Sequence, residues 1–166
     1  MIKIQKLLDR FTYILSDILV YILLLMISLV FISIVLRYLF NISYVSIQEM
    51  IIYLHASIFM FGISYALKED AHVKIDIIIN QLDSNLKFII NIIGLIFFLL
   101  PTSIFIIFIS SDMVSQSWRI LEGSSEAGGM NAVFILKSFI PIMGLLVLIQ
   151  TISKLIKTIQ GYNNGS

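Results

Sequence analysis

The chain contains no cysteine, which excludes disulfides, iron–sulfur clusters and thiolate zinc sites. It is also poor in charge. Asp, Glu, Lys and Arg make up 13% of the residues, where an ordinary soluble domain carries about 25%. The formal net charge is +1, so the strongly basic footprint of a nucleic-acid binder is missing as well. There are two prolines, and no low-complexity tract or domain linker interrupts the chain. Gly128-Gly129 is an isolated pair with no Lys-Ser or Lys-Thr after it, so no phosphate-cradling loop is present.

What is abundant is apolar surface: 59% of the 166 residues are hydrophobic. That composition fits lipid as the solvent. A helix crossing the roughly 30 Å hydrocarbon layer needs about 20 apolar residues at about 1.5 Å each. Four runs meet this requirement, at 13–36, 45–67, 86–109 and 132–152. Together with their connections they occupy nearly the whole sequence. The expectation is an all-α integral membrane protein, a single membrane domain over 1–166 with four transmembrane helices and no room for a soluble domain.

The first run follows Lys3, Lys6 and Arg10 and so has the basic flank of a signal peptide. It is about twice the length of a signal h-region and is closed by no small-x-small site, which predicts a retained span. Asp17 lies near its start, where a carboxylate stays at the interface or complements the helix N-terminus. Phe40-Asn41-Ile42-Ser43 reads as a tight turn joining spans one and two into a hairpin. Pro101 predicts a kink near the middle of span three, and Pro141 lies inside span four. A longer polar connection, Ser110 to Asn131, carries Asp112, Trp118, Arg119, Glu122 and Glu126.

Basic residues set the expected orientation. Lys3, Lys6, Arg10, Lys68, Lys74, Lys87, Lys154 and Lys157 fall on one side, and Arg37, Arg119 and Lys137 on the other, eight against three of the 11. The positive-inside rule then places both termini and the 68–87 connection in the cytoplasm, with the 37–44 turn and the 110–131 loop outside. Within the cytoplasmic connection, Ile75, Ile78, Ile79, Leu82 and Leu86 recur three and four apart, with Asp76, Asn80, Asp83 and Lys87 between them. This predicts an amphipathic interfacial helix over about 73–87. Its polar stripe continues through Asn91 and Gly94, as expected of a helix face turned toward another helix.

Few residues suggest chemistry. Arg37 at the end of span one and Glu49 at the start of span two each complement their helix dipole. They are candidates for an ion-pair clasp across the hairpin, for a subunit contact, or for a proton or substrate relay. His55 lies deeper in span two. Two intramembrane histidines could hold a haem, but His72, the second of the two in the chain, lies in the connection at a different depth, so a packed or partner-facing His55 is the better reading. Nucleophile, base and orienting acid would have to come from opposite membrane faces, so catalysis is not expected. The spans also lack broken helices, inverted halves and central carboxylates, the marks of a self-sufficient carrier.

The order of short motifs resembles the small membrane subunit (DctQ-like) of tripartite ATP-independent periplasmic (TRAP) transporters. The resemblance starts with Arg37-Tyr38-Leu39-Phe40-Asn41 and Glu49. It runs through Phe61-Gly62 and Tyr65-Ala66-Leu67 to Ala71-His72-Val73-Lys74-Ile75-Asp76, where the His-hydrophobe-basic-hydrophobe-Asp pattern is its most specific element. A further stretch, Glu122-Gly123-Ser124-Ser125 through Gly128-Gly129 to Lys137, Pro141 and Leu148-Ile149-Gln150, resembles one subgroup. Gln48 stands where a second acidic residue often adjoins Glu49, and His55 stands near a position where an aromatic is common.

The resemblance implies a bacterial inner-membrane protein with two partners, a large multi-span subunit and a periplasmic substrate-binding protein that delivers an organic acid anion. It implies sodium-driven uptake, with substrate and sodium sites in the moving large subunit and the small subunit as static scaffold, itself without a cofactor. The faces of the four helices are then expected to dock on the large subunit. Trp118, Arg119, Glu122 and Glu126 are the expected contacts to the binding protein. His72, Lys74 and Asp76 are expected to fix the cytoplasmic turn or touch the large subunit, or else to serve only as helix capping and solvation. Gly62, Pro101, Lys137 and Pro141 are expected structural positions. The readings from other classes are a stand-alone small transporter or channel, and after it a haem-bearing respiratory membrane anchor. The identity of the transported acid is not encoded in this chain.

Overall fold

The computed structural model describes residues 2–69 and 83–165. Helix α1 covers Ile2–Phe40 and α2 covers Val45–Lys68. The third span begins as α3 (Ser84–Ile93), widens into a π-helical stretch (Gly94–Leu99) and continues as α4 (Leu100–Arg119). Helix α5 covers Val133–Gly165. Four stretches are long and apolar enough to cross a membrane: Thr12–Phe40, Val45–Lys68, Asn85–Arg119 and Val133–Gln160. Among the described residues there is no strand. The expected segment 73–87 falls mostly outside the described residues, as do His72, Lys74 and Asp76; Ser84–Lys87 are the first turn of α3.

Two boundaries differ from expectation. Residues 110–119, expected in the outer loop, continue α4 to Arg119. Their polarity is absorbed within the helix, because Ser110 and Ser111 donate to the Ile106 and Ile107 carbonyls at 2.6 and 2.5 Å. The expected break at Pro101 takes the form of the π-helical stretch just before it. A proline inside an α-helix removes one backbone donor and crowds the carbonyl four residues back. Widening the turn relieves this, and the Leu100 N–H donates to the Leu95 carbonyl, five residues back. Pro141 sits within a continuous α5.

The hairpin turn between α1 and α2 depends on Asn41, whose φ of 54° lies in the left-handed region that asparagine tolerates better than most residues. The Ile42 N–H donates to the Leu36 carbonyl at 3.0 Å, and Gln48 Nε2 donates to Ser43 Oγ at 3.0 Å.

Helix α5 is the centre of the bundle, packed against α4 on one side and α2 on the other, while α1 packs mainly on α2. The interior is small and polar. Ser103, Ser110 and Ser117 recur every seven residues on α4 and are all buried, as are Ser57 and Ser64 on α2 and Gln150, Thr151 and Ser153 on α5. A hydroxyl inside lipid must be satisfied within the protein. Ser57, Ser64, Ser103 and Thr151 donate to carbonyls of their own helices at 2.7–2.8 Å. Aromatic rings fill what remains, as in the edge-to-face pair Phe61–Phe139 at 5.1 Å.

At the end of the bundle carrying the chain termini, Thr12 Oγ1 donates to Gln150 Oε1 (3.2 Å), Lys154 Nζ to the Leu67 carbonyl (3.4 Å) and the Tyr13 hydroxyl to Glu69 Oε1 (3.2 Å). These bonds tie α1, α2 and α5 together at that end.

Of the described helical glycines, Gly144 has the closest neighbours. A methyl group there would stand 2.8 Å from Ile107 Cγ1 and 3.2 Å from the Ser103 carbonyl oxygen. Gly144→Leu is therefore expected to force α4 and α5 apart, with overpacking of about 1–3 kcal/mol or more. The check is thermal unfolding in detergent micelles, where Gly144→Leu should melt several degrees below wild type and Gly144→Ala in between.

Candidate functional site

The described side chains with the most specific geometry gather at the opposite end, where the 120–132 connection folds back over α2 and α5. The connection begins with a strained helix end. Leu121 adopts a φ of 46°, in the left-handed region that favours glycine. The Leu121 N–H donates to the Trp118 carbonyl (3.3 Å) and the Glu122 N–H to the Ser117 carbonyl (3.0 Å). This is the Schellman closure of a helix C-terminus. A leucine at that position costs about 1–2 kcal/mol, so something beyond the turn must hold it.

Glu122 supplies the hold. Its Oε2 accepts from Ser117 Oγ at 2.6 Å and from Lys137 Nζ on α5. The lysine ammonium, and after it the serine hydroxyl, keep the Glu122 carboxyl below the usual glutamate range. Trp118 fastens the same corner: its indole Nε1–H donates to Ser138 Oγ at 2.8 Å and its ring meets Phe134 edge-to-face at 4.7 Å.

Glu49 anchors the second corner. Its Oε1 accepts from Ser124 Oγ, and its Oε2 accepts from the Met130 backbone N–H at 2.5 Å. The Ser124 N–H donates to the Met130 carbonyl at 2.9 Å, closing a small ring that Glu49 holds from below. Gly129 lies against it. A methyl group at Gly129 would stand 2.6 Å from Ser124 Cβ and 2.7 Å from Glu49 Oε1, so a side chain at 129 and the Glu49 staple are mutually exclusive. One turn along α2 the Tyr53 hydroxyl is buried, with no hydrogen-bond partner among the described residues.

The structure therefore separates the expected pair. Arg37 is exposed in the last turn of α1 and makes no ion pair with Glu49 among the described residues; the carboxylate is taken by Ser124 and Met130 instead. Glu49 thus joins α2 to the 120–132 loop. Geometry explains the difference: two hydrogen-bond donors of the loop already occupy both carboxylate oxygens. His55 lies exposed on the outer surface of α2. Of the four expected loop contacts, Glu122 and the indole N–H of Trp118 are committed internally, while Arg119 and Glu126 project outward. Gly62 borders a groove between α1 and α2, and Lys137 is the partner of Glu122.

Ser117, Ser124, Gly129, Met130 and Ser138 escaped the sequence reading as members of this site. Ser117 carried a signal, its seven-residue spacing from Ser110 and Ser103. The Met130 contribution is a backbone N–H and leaves no trace in side-chain patterns.

The family model for tripartite ATP-independent periplasmic transporters, DctQ component, matches residues 26–161. The chain belongs to the DctQ family. The match runs from the middle of α1 into α5 and takes in the whole stapled loop with Glu49, Glu122 and Lys137. The search of curated proteins finds no match. As a DctQ component with four spans, the chain is a multi-pass inner-membrane part of a transporter that has two other components.

Two tests follow from the staples. Glu49→Ala and Gly129→Ala are each expected to free the loop, raising amide exchange over 120–131 at least tenfold, and the double variant should add little to either alone because both remove the same contact. The Glu122 corner has a pH signature. Because its carboxyl titrates below the unfolded value of 4.5, its contribution is complete above pH 4.5 and is lost as pH falls through the lower folded pKa. Trp118 is the only tryptophan, so its emission reports the corner directly. Wild type should show an acid transition below pH 4.5 that Glu122→Gln lacks.

Proposed function

We propose that this DctQ component is the static small subunit of a sodium-coupled TRAP transporter for an organic acid, supporting the large membrane subunit and helping to seat the periplasmic binding protein. The observation that carries this reading is the character of the bundle interior. Among the described residues the buried polar ones are Thr12, Ser57, Ser64, Ser103, Ser110, Ser117, Gln150, Thr151 and Ser153. None bears a charge, and most of their hydroxyls are spent on backbone carbonyls. A path for an anion or a sodium ion needs charged or free polar groups between helices. The carboxylates Glu49 and Glu122 are instead used to hold a loop.

The excess of Lys and Arg at the termini end supports cytoplasmic termini and a periplasmic 120–132 loop. In that orientation the loop faces the compartment of the binding protein. Its outward groups are Arg119, Glu126 and the half-exposed ring of Trp118. A surface held by two staples pre-organises such a contact, since little ordering remains to be done on docking. Substrate selection and sodium binding belong to the other two components in this reading.

Reconstitution tests it. The chain alone in liposomes should give no sodium-driven uptake, and the complex with the large subunit and binding protein should give uptake. Transport by the chain alone would overturn the proposal. Within the complex, Glu126→Lys and Arg119→Glu are expected to raise the half-saturating concentration of binding protein several-fold with little change in maximal rate.

A further inference from the structure

One outer face of the bundle carries features that nothing among the described residues accounts for. A groove of about 350 Å³ runs between α1 and α2, lined by Asp17, Leu19, Val20, Leu23, Ile58 and Gly62 among others. On α2, His55, Ile58, Gly62 and Tyr65 recur three and four apart and so share one side of the helix. That side lies away from the buried Ser57 and Ser64, which face inward.

Gly62 is the first unexplained feature. A methyl group there would meet only Leu19 Cδ1, at 3.9 Å, an ordinary contact. Internal packing therefore does not require glycine at this position, although glycine inside a helix costs about 1 kcal/mol relative to alanine. Within membranes such residues let a second helix approach closely. Asp17 is the second feature. It is exposed about 7 Å inward from Thr12, the start of the apolar span, at 1.5 Å per residue. No described residue pairs with it. His55 is the third, an exposed imidazole near the middle of α2 with no partner among the described residues. An imidazole near the middle of a span is disfavoured against lipid tails, and a lone carboxylate near the start of a span is open to a cationic partner.

The outer face of the third span is different. Phe97, Phe98, Phe105 and Phe108 are all exposed there, up to 75% at Phe108, and through the middle of the span that surface carries no ionisable group. It fits lipid as it stands.

We propose that the large membrane subunit packs on the α1/α2 face, with one of its helices lying over Gly62 and its basic or hydrogen-bonding side chains closing on Asp17 and His55. The inference rests on the subunit reading above and commits it to one surface. A cationic partner group answers the carboxylate, and a donor or acceptor answers the imidazole. The aliphatic groove walls at Val20, Leu23 and Ile58 receive the apolar side chains of the same helix.

The test uses the co-expressed complex, with a benzophenone-bearing residue placed singly at Val20, Phe59, Phe105 or Phe108. Adducts with the large subunit are expected from Val20 and Phe59, and not from the two α4 positions. Adducts from α4 alone would overturn this assignment while leaving the subunit reading intact. Lipid adducts from all four positions would also overturn it, and failure of the wild-type chain to co-purify with the large subunit would bring down the subunit reading itself. A second measurement avoids dependence on labelling. Gly62→Leu fills open space, so the isolated chain should keep its melting temperature while recovery of the large subunit falls at least tenfold; undiminished recovery would overturn the proposal.

Discussion

In a bilayer an apolar side chain gains almost nothing by turning from lipid toward another helix, because the two surroundings are equally apolar. Helix association must come from close packing and from polar groups that find partners inside the protein. The bundle follows this constraint throughout. Many of its large side chains, Phe31, Phe59, Phe97 and Phe108 among them, point outward, while serine, threonine and glycine share its interior with a few aliphatic residues such as Leu67, Leu95 and Leu146. The seven-residue recurrence of Ser103, Ser110 and Ser117 gives α4 a flat, narrow strip on which α5 lies close enough for Gly144 to touch the Ser103 carbonyl. Buried hydroxyls cost little here because Ser103 and Ser110 return theirs to carbonyls of their own helix and Ser117 donates to Glu122.

The loop at the far end solves a different problem. It lies beyond the apolar spans, where water competes for every hydrogen bond and a connection of this length has entropy to lose. Two carboxylates, one from α2 and one from the loop itself, each collect two donors. Their placement links elements that are far apart in sequence: Glu49 joins α2 to residues 124 and 130, and Glu122 joins the end of α4 to Lys137 of α5. The left-handed Leu121 shows that the closure is demanding, since a residue with a side chain is held in a conformation suited to glycine.

Much of the architecture was legible in the sequence because it depends on a single quantity, the length of apolar runs. The four runs correspond to four helices, and the start of the second at Val45 agrees to the residue. The end of the third did not agree. Asp112, Ser115, Gln116 and Ser117 look like a loop to a hydropathy reading, yet in the helix Ser117 is buried and donates to Glu122 while the others face outward. The loop chemistry was less legible still. Arg37 and Glu49 are near neighbours across a short turn, which made an ion pair the natural expectation. The partners actually chosen, Ser124 and the Met130 N–H, lie about eighty residues away and include a backbone group with no sequence signature.

The two ends of the bundle and its faces therefore differ in how completely the chain satisfies itself. At the loop end, two carboxylates collect their donors from α4, the loop and α5 and a strained turn is held in place, as suits a surface presented ready-made. Through the middle of the third span the outer face is apolar and matches lipid. The α1/α2 face is left with an exposed carboxylate, an exposed imidazole and a glycine that no internal neighbour requires. A protein folded for its own sake would have no reason to keep these three on one surface. A protein whose fold is completed by another membrane protein would, because each is a cost in isolation that a matching helix removes on contact.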